Sequence, residues 1–579
     1  MKRLVSILIA VILVLGMGSV VISPHTALAA SINVPGDYAT IQEAINAAAP
    51  GDTINVAAGT YQENLTWYSK HLVIQGAGAD VTTIDGGGSN RVISTNGLST
   101  SAKLEGFTIT NGGGYDGGAM YNNHSSPTIT NCIFSNNTVS SRGGAMYNVQ
   151  SSPIVTNCIF SNNRSENAAG AMFNYQSSPT VTNCTFNENS ARSSGGAMNN
   201  EYQCSPTVTN CTFSNNRVDS GGYGGAMFNV ESTPAVTSCI FSGNSARYGG
   251  GMYNHGCPSS LRVINCIFSG NSASYGGGMY NRWKSYTRVI NCTFTGNYAS
   301  SQGGAMYSVS YAEPKVYNSI LWDNSPNEVI NYQSSRTTLT YCDVQGGYSG
   351  TGNIDADPLL NETFHILGGS PCIDAGVNNA APPDDFDGQP RPFDGDGDGD
   401  AIADIGADEY VPPSIDEFSV IDMDIDFDER PNRDRIRIKE ATFSLYIPDG
   451  MVNAPYDLSI DDVIVNIDGV VITIPAGSFD KDKKKDKYHF ESTKGVEPKV
   501  DMKLDFDKGE WDLKVDKVDA SVIDNCDGVV VTFSIGAMSA EDDIDMWVES
   551  LSYNKESQNT GGGDDDDSNE SESEEESSD

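Results

Sequence analysis

The densest group of potential metal ligands is the run Asp394-Gly395-Asp396-Gly397-Asp398-Gly399-Asp400, which Asp404 follows closely. Carboxylates at every second residue, separated by glycines, let the backbone fold around one hard cation, and calcium takes six to eight oxygen ligands. The loop lacks a glutamate at the twelfth position and has no evident flanking helices, so it is not an EF-hand. We predict a structural calcium site, with a solvated acidic linker as the alternative. The predicted ligands are Asp394, Asp396, Asp398, Asp400 and Asp404.

Catalysis would need another kind of cluster, and the sequence offers no evident one. Hydrolysis of a glycosidic bond uses a pair of nearby carboxylates. The acids of the repeated region are instead scattered, at Asp116, Glu166, Glu188, Glu201, Asp219 and Glu231. None recurs at the same position of successive repeats, so we assign no catalytic residue. An active site in the first coils, around Asp80 and Asp85, stays open.

A repeat of about 26 residues positions these side chains. Two ladders of residues share its period, and each repeat holds short β-prone runs separated by Gly, Asn, Ser and Pro, without helical periodicity. The repeat cysteines, spaced by 26, 26, 27, 28, 27 and 26 residues, are Cys132, Cys158, Cys184, Cys211, Cys239, Cys266 and Cys292. The methionines in phase with them are Met120, Met146, Met172, Met198, Met227, Met252, Met279 and Met306.

Stacking of these repeats predicts an all-β fold, a right-handed parallel β-helix. A unit with two or three short strands cannot bury its own apolar face, but it can do so against copies of itself. The right hand follows from the strong preference of parallel crossovers. Residues 412–556 instead show alternating apolar residues and turn signals, which predict an antiparallel β-sandwich.

Like residues should then form columns through the stack. Cysteine and phenylalanine two residues apart point inward together, and we favour free, buried thiols over disulfides. Cys204 and Cys257 fall outside the period, and a bond between Cys342 and Cys372 stays open. Asparagine tolerates left-handed backbone, which predicts turn ladders. The ladder residues are Asn137, Asn163, Asn189, Asn216, Asn244, Asn271 and Asn297.

A short amphipathic segment precedes the repeats. Within residues 37–48, apolar side chains recur at helical spacing, at Ile41, Ala44, Ile45 and Ala48. We predict a helix with Asp37 as its N-cap. It would cover the open end of the first coil, where unpaired strand edges invite aggregation.

An aromatic residue follows the repeated methionine in most copies. If methionine faces inward, its neighbour faces outward by strand alternation. We therefore predict an external aromatic strip that stacks on sugar rings. Asn199 stands at this position in one copy and favours exposure, since a buried asparagine would lack partners. The alternative is that the rings pack inside or stabilise the sheet by stacking on one another. The predicted strip is Tyr121, Tyr147, Phe173, Phe228, Tyr253, Tyr280 and Tyr307.

The predicted organisation has five parts. A positive start, an apolar run and the small residues of Ala27-Leu28-Ala29 indicate a signal peptide, with an uncleaved anchor as the alternative. After cleavage we expect no transmembrane segment, and hence a secreted or cell-surface protein. The parts are the signal peptide (1–29), the β-helix with its capping helix (30–353), an acidic end with the calcium loop (354–411), the β-sandwich (412–556) and a disordered acidic tail (557–579).

Charge is unevenly distributed over these parts. The formal net charge of the chain is −41. Residues 31–353 hold 17 acids and 14 bases, whereas residues 354–410 hold 14 acids and one base. Nucleic acid is therefore excluded as a partner, because phosphate would be repelled. Divalent cations are the expected small ligands.

Three sets of motifs resemble known families. The segment from Val34-Pro35-Gly36-Asp37-Tyr38 to Gly59-Thr60-Tyr61 resembles the start of pectin-lyase-like β-helix proteins. The Gly-Gly-Ala-Met-Tyr repeats resemble polymorphic outer-membrane-protein passengers. The motifs Gly369-Ser370-Pro371-Cys372 and Asp404-Ile405-Gly406-Ala407-Asp408 resemble the end of choice-of-anchor secreted β-helix proteins.

These resemblances cover roughly residues 32–410 and imply fold and export rather than activity. We predict a protein that binds polysaccharide or another cell-surface polymer, or that mediates adhesion. A polysaccharide lyase or hydrolase and a structural spacer are the alternatives.

Overall fold

The computed structural model describes residues 29–219, 221–258 and 261–412, and beyond them only the segments 414–426, 434–446, 463–467, 470–475, 478–481, 487–492, 498–505, 508, 510–518, 529–535, 538–544 and 552–554. The chain divides into two compact units. The first comprises Met1–Leu359 and Gly369–Glu409, and the second Leu360–Gly368 and Tyr410–Asp579. The predicted signal peptide, apart from Ala29, and the acidic tail lie outside the described residues.

The first unit is a right-handed parallel β-helix, as predicted. Each full coil gives one strand to each of three long sheets, A, B and C, in that order along the chain. Sheet A consists of Ser31–Val34, Thr53–Val56, Val73–Gly76, Lys103–Glu105, Thr128–Thr130, Ile154–Thr156, Thr180–Thr182, Thr207–Thr209, Ala235–Thr237, Arg262–Ile264, Arg288–Ile290, Lys315–Tyr317 and Thr338–Thr340.

Sheets B and C run beside it. Sheet B consists of Gly59–Gln62, Thr82–Asp85, Thr108–Thr110, Ile133–Ser135, Ile159–Ser161, Thr185–Asn187, Thr212–Ser214, Ile240–Ser242, Ile267–Ser269, Thr293–Thr295, Ile320–Trp322 and Asp343–Val344. Sheet C consists of Leu65–Tyr68, Ile93–Asn96, Met120–Asn123, Met146–Val149, Met172–Tyr175, Met198–Glu201, Met227–Val230, Met252–His255, Met279–Arg282, Met306–Val309 and Val329–Tyr332. Two short parallel sheets flank them, formed by Thr138–Val139, Arg164–Ser165, Ser190–Ala191 and Arg217–Val218, and by Ser272–Tyr275 and Tyr298–Gln302.

Asparagines with positive φ make the sharp corners of each coil. Asn131 turns the chain from sheet A to sheet B at φ 52°, and Asn136 leaves sheet B at φ 55°. Asparagine adopts this left-handed region more readily than most residues. Because each coil turns at the same points, the strands stack in register, and Phe134 lies opposite Phe160.

The interior consists of like-on-like columns, which confirms the predicted packing. The rings of Phe134, Phe160 and Phe186 stack with centroids 4.7 Å apart and nearly parallel planes. The repeat cysteines are buried and free. Cys342 and Cys372 are also free, and the Cys372 thiol lies 3.4 Å from a carboxylate oxygen of Asp343. Cys204, predicted to lie in a turn outside the period, accepts a hydrogen bond from the Ser177 backbone N–H in a buried row of small side chains.

The predicted asparagine ladder is present and extends one coil further, to Asn324, but its residues do not take the left-handed backbone expected of them. The residues just before them, such as Asn136, adopt it instead. Each side-chain Nδ2 donates to the Oδ1 of the next coil at 2.7–3.0 Å, from Asn137 onward. Each Nδ2 also donates to a backbone carbonyl one coil back, as Asn163 does to Phe134. The ladder ends where Asn324 Nδ2 donates to the carboxylate of Glu328 at 2.7 Å. The bonds between side-chain amides therefore all run in one direction along the stack.

A second internal ladder lies in sheet C, and sequence reasoning missed it. Its side chains are fully buried and linked by Nδ2-to-Oδ1 hydrogen bonds of 2.8–3.0 Å. It begins at Thr95, whose hydroxyl donates to Asn122. The ladder residues are Asn122, Asn148, Asn174, Asn200, Asn229, Asn254 and Asn281.

The capping helix is present but shorter than predicted. Helix α1 spans Ile41–Ala47, and its apolar face is buried as expected. The prediction of Asp37 as N-cap is wrong. Thr40 is the N-cap, while the Asp37 carboxylate accepts from the backbone N–H of Asn33 in the preceding turn. Glu63 accepts from two N–H groups at the helix start, which compensates their missing partners.

The end of the first unit folds back along the coils as a strap, defined as residues 377–409. It lies against the corners between sheets A and B. Asn265 Nδ2 donates to the Asp384 carbonyl at 2.7 Å, Asn291 to the carbonyls of Asp404 and Gly406, and Asn318 to the Val377 carbonyl. The strap therefore buries three asparagines of a corner row that is exposed in earlier coils.

The second unit contains two antiparallel sheets, in agreement with the predicted fold class. In spatial order, the larger consists of Asp480–Lys481, Lys487–Glu491, Lys499–Asp505, Glu510–Val518, Asp434–Tyr446, Ser414–Asp426 and Ser552–Asn554. The smaller consists of Val470–Ile474, Val463–Ile467, Val529–Ile535 and Met538–Ile544. Trp511 of one packs on Phe533 of the other, with ring centroids 4.9 Å apart. No helix within the described residues is long and apolar enough to cross a membrane.

Candidate functional site

The predicted aromatic strip faces away from the coil interior, but it is not exposed. Five of its seven rings are buried and only Tyr121 and Phe228 are half-buried. The rings stack on one another, with centroids 5.1–5.4 Å apart. Burial raises the pKa of Tyr253 to about 12. Because the ring faces lie against each other, they are not available for stacking on sugar rings. The alternative holds, in which the rings stabilise the sheet by stacking on one another.

Neighbouring segments cover this strip. Tyr223, Tyr248 and Tyr275 each lie just before a Gly-Gly pair and pack edge-on or tilted against the next strip ring, at 5.0–5.3 Å. Earlier in the stack, Ala168 and Ala169 pack against Tyr147 and Phe173. Asn199, taken as a sign of exposure, is fully buried, and its Nδ2 donates to the Ser194 hydroxyl at 3.0 Å. The strip is thus a second small core outside the coils.

A different group of aromatic side chains is exposed. Trp283, Tyr311 and Tyr332 lie at or beside the turns between sheets C and A in three successive coils, and each is 54–59% exposed. Tyr286 lies in the same turn as Trp283 and is 37% exposed. These rings occupy different positions within their coils, so no repeat column marks them. The sequence signal for these exposed rings is local. In Asn281-Arg282-Trp283-Lys284-Ser285, for example, an aromatic residue stands between basic and polar residues.

A column of three cations begins where these turns end. Arg262, Arg288 and Lys315 are the first residues of adjacent strands in sheet A and stand in register. Neighbouring parallel strands are about 4.8 Å apart. Like charges directly opposite one another destabilise a sheet. The column is therefore not explained by the stability of the fold.

No carboxylate within the described residues forms an ion pair with any of the three. Arg288 Nε is buried without a hydrogen-bond partner, and the guanidinium lies 5.8 Å from the centre of the Tyr317 ring. Residues 257–341 hold six bases against three acids, in a chain of net charge −41. We call the column, together with Trp283, Tyr286, Tyr311 and Tyr332, the basic–aromatic face.

The acidic loop brings only some of its predicted ligands together. Carboxylate oxygens of Asp394 and Asp396 lie within 4.8 Å of one another and of Asp374, which sequence reasoning missed. Asp374 also accepts from the backbone N–H groups of Gly395 and Asp396, so it orders the loop. Oxygen donors of this kind suit a hard cation.

The remaining predicted ligands are placed differently. Asp398 and Asp400 are exposed, and neither belongs to the group formed by Asp374, Asp394 and Asp396. Asp404 is buried, and its carboxylate accepts from the Asp374 backbone N–H at 2.7 Å. Asp404 therefore holds the backbone of Asp374 and does not belong to the carboxylate group. No local sequence pattern indicates this role of Asp404, because the contact joins residues far apart in the chain.

Comparison with known proteins agrees with this architecture. A family model described as the right handed beta helix region matches residues 75–233 and 194–358. The matched region, residues 75–358, is a right-handed β-helix of this kind. A search of curated proteins found no significant match.

Solved β-helix structures are similar at a low level. The pectate lyase Pel9A shares 15% sequence identity with a TM-score of 0.35, covering 66% of this chain and 96% of that one. A pectin methylesterase in complex with a hexasaccharide shares 9%, with a TM-score of 0.21 and coverages of 57% and 93%. An alginate lyase of family PL6 shares 10%, with a TM-score of 0.27 and coverages of 58% and 55%. Scores at this level do not bear on activity or ligand.

Proposed function

We propose that this β-helix protein is exported and binds an acidic polysaccharide along its basic–aromatic face. The observation that supports the proposal is the in-register column of Arg262, Arg288 and Lys315, which has no carboxylate partner within the described residues. A ligand with regularly spaced carboxylates would neutralise these charges by charge-assisted hydrogen bonds.

The exposed rings supply the second part of such a site. Trp283, Tyr311 and Tyr332 offer apolar faces and polar edges, which suit the faces and hydroxyls of sugar rings. They flank the cation column over consecutive coils, so an extended chain along the stack axis could contact both. Glu313 is exposed near Lys315 and would disfavour an anion there, which makes Arg262 and Arg288 the stronger anchors.

Binding without cleavage is the role proposed, at a cell surface or in the secreted state, and adhesion to a polymer would be its consequence. The test is to mix purified residues 30–579 with acidic and neutral polysaccharides, scoring retention and chain cleavage. We expect retention of an acidic polymer, weakened by salt. Cleavage of any polymer would instead support the lyase or hydrolase alternative. No retention at all would leave the structural spacer.

Substitutions in the basic–aromatic face test whether it is the polysaccharide-binding site. The triple change Arg262→Gln, Arg288→Gln and Lys315→Gln should abolish retention of the acidic polymer. Arg192→Gln with Arg217→Gln removes two exposed bases from earlier coils and serves as the control. Equal loss in both variants would mean that only net charge matters, which would contradict a defined site.

We also propose that calcium binds at Asp374, Asp394 and Asp396 and braces the acidic loop. The proposal rests on the grouping of their carboxylates and on the preference of calcium for oxygen ligands. Calcium should raise the unfolding temperature of the protein, and a chelator should reverse the effect. Asp374→Asn should remove this response, whereas Asp219→Asn, outside the loop, should retain it.

A further inference from the structure

A groove lies where the strap stops covering the corner row of asparagines. Asn265, Asn291 and Asn318 are buried beneath the strap, whereas Asn210 and Asn183, at the same corner of earlier coils, are exposed. The groove has a volume of about 560 Å³. This falls within the roughly 300–1,000 Å³ typical of small-molecule sites.

The floor of the groove is polar and uncharged. It is formed by the corners of two successive coils, with Thr209, Asn210, Thr212, Thr237 and Ser238 on its surface and Ile240 beside them. The Asn210 side chain is exposed and makes no hydrogen bond within the described residues, so its amide donor and acceptor are both available to a ligand. Such a floor can donate to and accept from hydroxyl groups.

The wall of the groove is the strap segment 382–388, and buried contacts hold it in place. The side chains of Arg391 and Glu409 form a fully buried ion pair at 2.7 Å, and Arg391 also donates to Asn265 Oδ1. Asp385 is buried and accepts from the backbone N–H groups of Gln389 and Glu409. The wall is therefore preorganised, which lowers the cost of binding.

The wall presents the carboxylate of Asp384 and one ring. Asp384 is exposed, and Phe386 is half-buried two residues further along the strap. No basic residue lines the groove. Polyanions are therefore repelled, in contrast to the basic–aromatic face, whereas carboxylates bind the paired hydroxyls of a neutral sugar well. Phe386 adds an apolar surface for a sugar ring.

We propose that this groove is a second, independent binding site, and that it takes a neutral oligosaccharide of two or three sugar units. The carboxylate of Asp384 accepts from sugar hydroxyls, Asn210 and the corner hydroxyls bond the opposite edge, and Phe386 packs on a ring face. The site does not depend on the cation column and lies on a different corner of the coils.

The test is calorimetric titration of residues 30–579 with four neutral trisaccharides, built of glucose, mannose, galactose or xylose. At least one should bind saturably. Asp384→Asn should weaken that binding by about tenfold, as expected for one lost charge-assisted hydrogen bond. Asn210→Gly should weaken it similarly. Glycine accepts the positive φ of 52° at this corner, so the variant loses the amide without backbone strain.

The matched control is Asn183→Gly, which makes the same change at the same corner one coil earlier, at φ 53° and outside the groove. It should bind as wild type does. If Asn210→Gly fails to fold, as judged by its unfolding temperature, Asp384→Asn decides alone. No binding of any trisaccharide, or binding unchanged by the groove variants, overturns the proposal. The triple cation variant should bind the trisaccharide normally, which separates failure here from failure of the acidic-polymer proposal.

Discussion

The inside and the outside of the coil stack both carry columns of like residues, with opposite energetic consequences. Inside, Asn163 and Asn189 stand in register, and each satisfies the other because an amide both donates and accepts. Outside, Arg262 and Arg288 also stand in register, but two guanidiniums can only donate and repel. Stacking therefore lets amides pair with one another along a column, apart from the last amide of the sheet C ladder, Asn281. Stacked cations cannot pair in this way, which is why an acidic ligand is proposed for them.

The difference shows how to distinguish structure from function in a solenoid. A column that completes its own hydrogen bonds is explained by folding. A column that cannot do so has to be explained by something outside the chain.

The largest effect is expected from the phenylalanine column. Phe186→Ala removes a ring that stacks on Phe160 and Phe213, both at 4.7 Å, and leaves a cavity. The free energy of unfolding should fall by about 3–5 kcal/mol, measured by urea denaturation. Tyr311→Ala, at an exposed ring, should change it by less than about 0.5 kcal/mol. Similar losses in the two variants would contradict the division into inner and outer columns.

The asparagine ladder should come next. Asn189→Ala removes the donor to Phe160 and Asn216 and the acceptor used by Asn163. Leaving these buried groups without partners should cost about 2–3 kcal/mol. Asn90→Ala, at an exposed asparagine, is the control, and a comparable loss there would mean that the ladder adds nothing special.

The end of that ladder should respond to pH. Burial raises the pKa of Glu328 to about 7, so the folded protein binds this proton more tightly than the unfolded chain. Stability from this group is thus greatest below the ordinary glutamate pKa and is lost as pH rises through about 7. Unfolding temperatures from pH 5 to 8 should fall less in Glu328→Gln than in wild type. Asp343, with its pKa raised to about 6, contributes in the same direction in both proteins.

The smallest effect is expected from the cation column, where a substitution should raise the free energy of unfolding and not lower it. Lys315→Gln removes one repulsive neighbour of Arg288, so stability should rise by about 0.2–1 kcal/mol at low salt. The gain should shrink as salt screens the wild-type charges. Lys103→Gln should bring no gain, because Lys103 has an ion-pair partner in Glu105. A loss of stability in Lys315→Gln would show that the column supports the fold.

Periodicity made the coils predictable. Cys132 and Phe134 lie two residues apart and recur with the same period, so their common inward direction followed from strand geometry alone. The first asparagine ladder also followed from its period, whereas the left-handed backbone expected of it did not. The second ladder was accessible too, because Asn148 stands two residues after Met146 and must share its inward direction.

What periodicity could not supply was the environment outside the coil. Alternation gives the direction of Tyr253 but not whether Tyr223 covers it, since covering depends on how a flanking segment folds. The strap contacts depend on pairs such as Asn265 and Asp384, which are 119 residues apart and leave no local signal. Aperiodic residues such as Trp283 stand in no repeat column, so periodicity does not mark them.

Because the amide-to-amide bonds of the ladder all run in one direction, the number of coils can change without loss of these bonds. Every rung from Asn137 to Asn297 receives from the coil before it and donates to the coil after it, and only Asn324 ends on a carboxylate. Duplicating or deleting one internal coil would thus preserve both ends and every rung. The length of the β-helix can therefore change by whole coils through gene duplication or deletion, while its last coil stays the same. The length of polymer that the proposed face could contact would change with it.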